Sequence, residues 1–134
     1  MLRGLTTVTF YVDDLRGAVA WYTEMLGVEP YFLRPSAEEP AYVEFRIGDH
    51  EDELGLIDSS YLPESRESAG PGRATPYWHV DDVGAAQARL LELGATELEP
   101  VIVREAGFVT AAVLDPFGNV LGLMHSPHWL EQVR

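Results

Sequence analysis

The segment Asp115-Pro116-Phe117-Gly118-Asn119-Val120-Leu121-Gly122-Leu123-Met124 combines a predicted turn with a predicted strand. Asp at the first position, Pro at the second and Gly at the fourth are typical of a type I turn. The closing residues 121–124 have a near copy in Leu54-Gly55-Leu56-Ile57, which lies 67 residues earlier. This similarity suggests that part of the chain is repeated.

Two further pairs of short motifs keep nearly the same spacing. Val12-Asp13-Asp14 recurs 68 residues later as Val80-Asp81-Asp82, and Leu26-Gly27 recurs 67 residues later as Leu93-Gly94. Three matches in the same order indicate a duplicated structural unit of about half the chain.

The first copy reads as a β-α-β-β-β module. Residues 7–12 alternate apolar and small or polar side chains, which predicts a strand. Asp13 or Asp14 can cap a helix whose apolar residues repeat at helical spacing, and Gly27 is suited to end it. Three further strands are predicted at 28–33, 41–47 and 53–57.

The second copy repeats this order. A strand at 76–80 precedes a helix that Asp81 or Asp82 can cap and Gly94 can end. Strands follow at 96–104 and 107–114, and the turn at Asp115 leads into the closing strand. We therefore predict an α+β fold with two modules, about 1–60 and 74–126, in one domain of residues 1–134. Residues 58–75 form a predicted surface linker rich in Ser, Pro, Gly and Glu, and residues 126–134 a tail that packs on the sheet or on a second subunit.

Composition limits the possible partners. The chain has 134 residues, 46% of them hydrophobic, and its lack of cysteine excludes disulfides and thiolate metal sites. A net charge of −13 disfavours nucleic acid and anionic membranes as partners, and no apolar run approaches the ~18 residues of a membrane span. The charge favours a cationic ligand, although it can also serve solubility alone. The N-terminal residues do not resemble a signal peptide, so we expect a cytoplasmic protein.

The duplicated modules, the Val-Asp-Asp motif before each helix, residues 21–27 (Trp-Tyr-Thr-Glu-Met-Leu-Gly) and the Asp-Pro-Phe-Gly-Asn turn together resemble the vicinal oxygen chelate superfamily. This is the group of glyoxalases, bleomycin-resistance proteins and extradiol dioxygenases. The resemblance covers nearly the whole chain and implies an open mixed barrel whose inner face lines a ligand cavity. It also implies a homodimer.

Metalloenzymes of this family take one metal ligand from the first strand and one from the last strand of each module. The resemblance places these four positions at Thr7, Gly55, Thr75 and Gly122, which cannot supply the three or four donors that a divalent metal needs. We therefore expect no metal and no other cofactor.

The expected function is metal-free binding of a small aromatic or cationic molecule, similar to the drug-sequestering antibiotic-resistance proteins of the family. The predicted ligand cavity mixes small residues, which leave room, with aromatic and polar groups. Its residues are Thr7, Thr9, Tyr11, Glu44, Gly55, Thr75, Tyr77, His79, Phe108, Gly122 and Met124.

Two alternatives remain open on the sequence. One is a metal-dependent lyase, isomerase or dioxygenase whose ligands are displaced to Glu53, His79 and Glu44. The other is a metal-free enzyme in which His79 or Glu44 is the general base, since a histidine can exchange protons near neutral pH.

Overall fold

The computed structural model describes residues 1–63 and 74–133, and the chain divides into two compact units, Met1–Ser68 and Ala69–Arg134. Each unit carries its own four-stranded mixed sheet and one long helix, so the predicted α+β class and the β-α-β-β-β order are confirmed. Much of the predicted linker 58–75 lies outside the described residues.

The first unit begins with β1 (Thr7–Val12), α1 (Leu15–Leu26), β2 (Phe32–Pro35), β3 (Pro40–Ile47) and β4 (Asp52–Asp58). Its strand order is β1-β4-β3-β2, with β1 parallel to β4 and the other pairs antiparallel. The Asp14 side chain accepts a hydrogen bond from the Gly17 N–H at the start of α1, and Gly27 ends the helix at φ 72°.

One face of the first sheet packs against α1. The helix contributes the buried side chains of Leu15, Ala18 and Tyr22, at the spacing of one helix face. The sheet contributes alternate residues of its strands. These are Phe10, Val12, Val43, Phe45, Leu54 and Leu56.

The second unit repeats the arrangement with β5 (Tyr77–His79), α2 (Val83–Glu92), β6 (Thr96–Val103), β7 (Val109–Leu114) and β8 (Val120–His125). Its order, β5-β8-β7-β6, matches that of the first unit strand for strand. Asp82 caps α2 through the N–H of Ala85. The core between α2 and its sheet comes from Val83 and Leu90 of the helix and from alternate strand residues, mainly Ala111, Val113, Leu121 and Leu123.

The structure differs from the predicted elements at two places. The second strand begins at Phe32 rather than at Val28 and runs through Pro35, which β2 tolerates because it is an edge strand. The tail forms a helix, α3 (Pro127–Gln132), with Ser126 as its cap and proline at its first position.

Within the described part of the chain, no helix combines the length and the apolar character needed to cross a membrane.

Candidate functional site

The face of the first sheet that points away from α1 carries a group of polar side chains. Period-two alternation places Thr7 and Thr9 on this face of β1, and strand register sets Thr7 opposite Glu53 and Thr9 opposite Gly55. On the neighbouring strand, Glu44 lies opposite Gly55. The strands therefore bring two carboxylates together on one open face.

One tyrosine bridges these two carboxylates, and a second tyrosine binds one of them. Tyr42 donates to Glu44 at 2.5 Å, and the Tyr31 hydroxyl lies 2.8 Å from Glu44 and 3.0 Å from Glu53. Thr7 donates to the other oxygen of Glu53 at 3.3 Å. Tyr31 has a single hydroxyl proton, so it donates to either Glu44 or Glu53 at a given moment and alternates between them.

An arginine completes this cluster. The Arg46 guanidinium lies 3.7 Å from Glu53 and 4.0 Å above the Tyr31 ring, a cation–π distance. Arg46 therefore offsets one of the two negative charges. Of Glu44 and Arg46, only Glu44 was among the predicted cavity residues.

The neighbouring carboxylates keep both tyrosines protonated. The hydrogen bond to Glu44 is the main cause of the raised pKa of Tyr31. Burial, followed by the hydrogen bond to Glu44, raises the pKa of Tyr42 well above its ordinary value.

Because the pKa of Tyr42 is raised in the folded protein, we expect Tyr42 to make the free energy of unfolding decrease at alkaline pH. A folded pKa above the unfolded value stabilises the fold fully below about pH 10, and that contribution is lost as pH rises further. The free energy of unfolding should therefore fall more steeply above pH 10 in the wild type than in Tyr42→Phe. Urea denaturation between pH 8 and pH 11.5 measures this difference, and equal slopes would contradict it.

In the first unit, a tyrosine ring covers Gly55, one of the positions where the resemblance places a metal ligand. A Cβ atom on Gly55 would lie 2.6 Å from the Tyr42 hydroxyl oxygen and 3.1 Å from Thr9 Oγ1. Both distances are shorter than ordinary contacts. The space that a carboxylate side chain would need at this position is thus filled by Tyr42.

The second unit shows the same relation with a different tyrosine. A Cβ atom on Gly122 would lie 2.7 Å from the Tyr77 ring and 2.7 Å from the Thr75 methyl group. Tyr77 reaches Gly122 because the two residues are register partners in the parallel pair of β5 and β8.

The residues at the four positions where the resemblance places metal ligands, Thr7, Gly55, Thr75 and Gly122, do not fit a divalent metal ion. Each unit supplies one threonine hydroxyl and one glycine, and neither residue type offers the imidazole or carboxylate donors that such ions require. Among residues 1–63 and 74–133, moreover, no group of three or more His, Cys, Asp or Glu side chains is arranged to hold a metal.

The covered glycine gives a testable stability effect. Gly55→Ala should lower the free energy of unfolding by about 1–3 kcal/mol, because the added methyl group must displace Tyr42 and strain its bond to Glu44. The matched control is Gly84→Ala, where the nearest atom to the added Cβ is 3.6 Å away. That helical change should stabilise by about 0.5–1 kcal/mol. Equal effects of the two changes, measured in urea, would refute the packing argument.

A groove of about 890 Å³ runs along the open face of the second sheet. Its size is within the usual range of small-molecule sites, and apolar and aromatic side chains predominate with a few polar groups. The lining residues are Tyr77, Ile102, Val103, Arg104, Glu105, Phe108, Thr110 and Met124.

A tight loop between β6 and β7 builds one wall of this groove. The Arg104 N–H donates to the Phe108 carbonyl at 2.8 Å, and Arg104 Nε donates to the buried Thr110 hydroxyl at 3.0 Å. Ala106 has φ 57°, a left-handed conformation that non-glycine residues rarely adopt. These bonds hold Arg104 and Phe108 in place at the groove.

His79 lies beneath the C-terminal helix rather than in the groove. Its side chain is 6% exposed, and its Nδ1 accepts a hydrogen bond from the Ser126 N–H at 3.1 Å. Its Nε2 lies 3.4 Å from Asp81, without the geometry of a hydrogen bond. The Trp129 ring stacks on His79 at 4.5 Å, so the tail packs on its own sheet.

Within each unit, the open face of the sheet carries most of the predicted cavity residues. Thr7, Thr9, Glu44 and Gly55 share the open face of the first sheet, where Tyr11 on the same strand is half-buried. Tyr77, Phe108 and Met124 line the groove, and Gly122 lies under Tyr77, with Thr75 beside it. Of the displaced-ligand candidates, Glu44 and Glu53 are bound to tyrosines and His79 is covered.

Several site residues were missed by the sequence reasoning. Tyr42 was not among the predicted cavity residues, although its period-two spacing to Glu44 and Arg46 gives it the same face. Arg104 and Thr110 carried no motif, because their roles depend on the loop that joins β6 to β7. The available signal for Thr110 is period two, which sets it on the strand face opposite Ala111.

The model of the Glyoxalase/Bleomycin resistance protein/Dioxygenase superfamily matches residues 4–123. A comparison with curated proteins finds no match.

Solved structures of similar fold cover almost the whole chain. A glyoxalase-related enzyme from Fulvimarina pelagi is 22% identical, with a TM-score of 0.73 over 94% of this chain and 90% of that chain. A superfamily member from Sphaerobacter thermophilus DSM 20745 is 22% identical, with a TM-score of 0.72 over 93% and 98%. A glyoxalase/bleomycin resistance protein from Catenulispora acidiphila DSM 44928 is 23% identical, with a TM-score of 0.61 over 90% and 96%. At these identities the likeness establishes the fold alone.

Proposed function

Because the chain belongs to the glyoxalase, bleomycin-resistance and dioxygenase superfamily, we propose that it is a member that binds a small aromatic molecule without a metal ion. It retains the compound rather than transforming it. We also propose a cytoplasmic homodimer, whose subunit number light scattering would measure.

The observation that carries this proposal is the tyrosine packed over each family metal position. Tyr42 fills the space beside Gly55, and Tyr77 fills the space beside Gly122. Metal chemistry in this family depends on the ion as a Lewis acid, and the residues here do not form its ligand set. The same tyrosines offer an aromatic surface with a hydrogen-bonding edge.

The groove of the second unit supports an aromatic ligand. Phe108 and Tyr77 line it together with Met124, whose flexible thioether adapts to the edges of rings. Tyr77 is 44% exposed, so its ring is accessible for stacking.

The charge of the protein supports a cationic group on that ligand. The net charge of −13 attracts cations over distances of about 8 Å at physiological salt. Glu105 in the groove wall adds to this preference locally, and Arg104 beside it opposes it.

Three naphthalene compounds of similar size and different charge test the proposal. They are 2-naphthylmethylamine, 2-naphthalenemethanol and 2-naphthoic acid, titrated into isotopically labelled protein in the presence of EDTA. With about a dozen heavy atoms and roughly 0.3 kcal/mol per atom, we expect Kd on the order of 1 mM for the ammonium compound. The alcohol and the acid should bind progressively more weakly, with the chemical-shift changes centred on the groove.

A matched pair of variants assigns the site. Phe108→Ala should weaken binding about tenfold, which corresponds to about 1.4 kcal/mol of aromatic contact. Phe32→Ala, at an exposed aromatic residue of the first unit, should leave it unchanged. Binding that requires added Zn²⁺, Ni²⁺ or Mn²⁺ would overturn the metal-free proposal, and tightest binding of the acid would overturn the cationic preference.

A further inference from the structure

We propose that neutral His79 fastens the start of the C-terminal helix and, through it, one wall of the groove, and that protonation of His79 loosens both. The mechanical part depends on the second unit alone. Its effect on ligand binding rests on the proposed function.

The hydrogen bond between His79 and Ser126 fixes the protonation state of the ring. Since Nδ1 accepts from the Ser126 N–H, its lone pair is occupied and the proton of the neutral ring is on Nε2. That nitrogen is the one near Asp81, at 3.4 Å. Both Ser126 and the His79 side chain are at least nine-tenths buried.

Ser126 is the junction between β8 and the C-terminal helix. Its hydroxyl accepts from the Trp129 N–H at 3.1 Å, which caps the helix. Its N–H is anchored to a different strand, β5, through His79. This backbone N–H thus ties the start of α3 to β5, in addition to the covalent link with β8.

The residues that follow this junction support the groove wall. Pro127 Cγ would lie 3.3 Å from a Cβ atom on Gly107, and the His128 ring meets Phe108 edge-on at 5.0 Å. Phe108 lines the groove. Any movement of Ser126 therefore reaches the wall through its two neighbours in sequence.

Protonation acts at the Ser126 contact. The added proton occupies Nδ1, so two donors, the ring N–H and the Ser126 N–H, then face each other. Because the site is buried, water is poorly placed to supply the lost acceptor. Histidine is the side chain whose unperturbed titration lies between pH 5 and pH 8.

The other groups around His79 determine which contact gives way. Asp81 is 96% exposed and attracts an imidazolium only through a screened interaction. The Trp129 ring, which lies on α3 itself, also attracts an imidazolium, so these two groups hold His79 in place and the body of the helix stays stacked on it. His125, with its ring centroid 5.2 Å away, adds repulsion when it is protonated. The Ser126 contact is therefore the one that opens.

Amide hydrogen exchange of Ser126 measures this event directly. After correction for the intrinsic exchange rate, we expect at least a tenfold loss of protection between pH 8 and pH 5. Phe108 ring signals should broaden or shift over the same range. The strands of the second sheet should keep their protection, because the fold itself remains intact.

Variants identify the responsible ring. In His79→Asn, the amide oxygen replaces Nδ1 as a non-titrating acceptor, so Ser126 protection should persist and no longer depend on pH. In His128→Gln the pH dependence should remain. His125→Gln should reduce it at most partly.

Three results would overturn the proposal. They are equal Ser126 protection at pH 5 and pH 8, a loss spread evenly over the whole sheet, and a pH dependence that His79→Asn retains. The naphthylmethylammonium probe separates this inference from the proposed function. If the probe binds at no pH, the binding proposal is refuted, while the hydrogen-exchange result for Ser126 still stands. If the probe binds but the Ser126 exchange does not change with pH, only the proposed pH response is refuted.

Discussion

Asp115→Ala is expected to lower the free energy of unfolding by about 3–4 kcal/mol, because two backbone donors lose a buried, charged acceptor. Asp115 is 4% exposed, and its Oδ1 accepts from the N–H groups of Phe117 at 2.9 Å and Asn119 at 2.8 Å. Urea denaturation monitored by circular dichroism gives the value.

The conservative change Asp115→Asn serves as the control. It keeps an oxygen at the same place and loses only the charge, so the expected loss is about 1 kcal/mol. A loss for Asp115→Ala no larger than for Asp115→Asn would show that the turn does not depend on these two bonds.

Phe45→Ala should produce a still larger loss, about 3–5 kcal/mol. Phe45 is fully buried on the helix side of β3, with its ring centroid 6.5 Å from that of Tyr22. Removing the ring leaves a cavity between sheet and helix that the surrounding side chains cannot close. Since typical domains are stable by only about 5–15 kcal/mol, a partly unfolded population at 37 °C is expected.

Phe32→Ala is the matched control for this prediction. Phe32 is 38% exposed on the edge strand β2, so its loss should cost less than about 1 kcal/mol. Thermal and urea unfolding of both variants test the difference, and a similar cost at the two positions would contradict the assigned core.

The sequence predicts the fold well because each local signal agrees with the duplication. These signals are local, because each depends on residues close together in the chain. They are the period-two patterns, the caps at Asp14 and Asp82 and the left-handed Gly27. The start of β2 was predicted too early, because an edge strand is held by pairing on one side only and apolar content is then a weak guide.

The candidate site was predicted less completely, since it depends on distant pairings. Period-two alternation placed Glu44 on the open face. The contact of Glu44 and Glu53 with Tyr31 depends on strand register, which the sequence pattern does not give. His79 was predicted to face the cavity, because period-two alternation alone could not show that Trp129 covers it. The helix that carries Trp129 has a sequence signal in Ser126-Pro127, which the prediction of a tail left unused.

Native mass spectrometry of the protein purified from its own host tests whether it binds a small molecule without a metal ion, because the spectrum shows metal and retained organic compound together. We expect a protein mass without stoichiometric metal and, where a compound is retained, an adduct of small organic mass that persists in EDTA. Stoichiometric Zn, Ni, Mn or Fe, removed by EDTA together with the bound compound, would contradict this expectation.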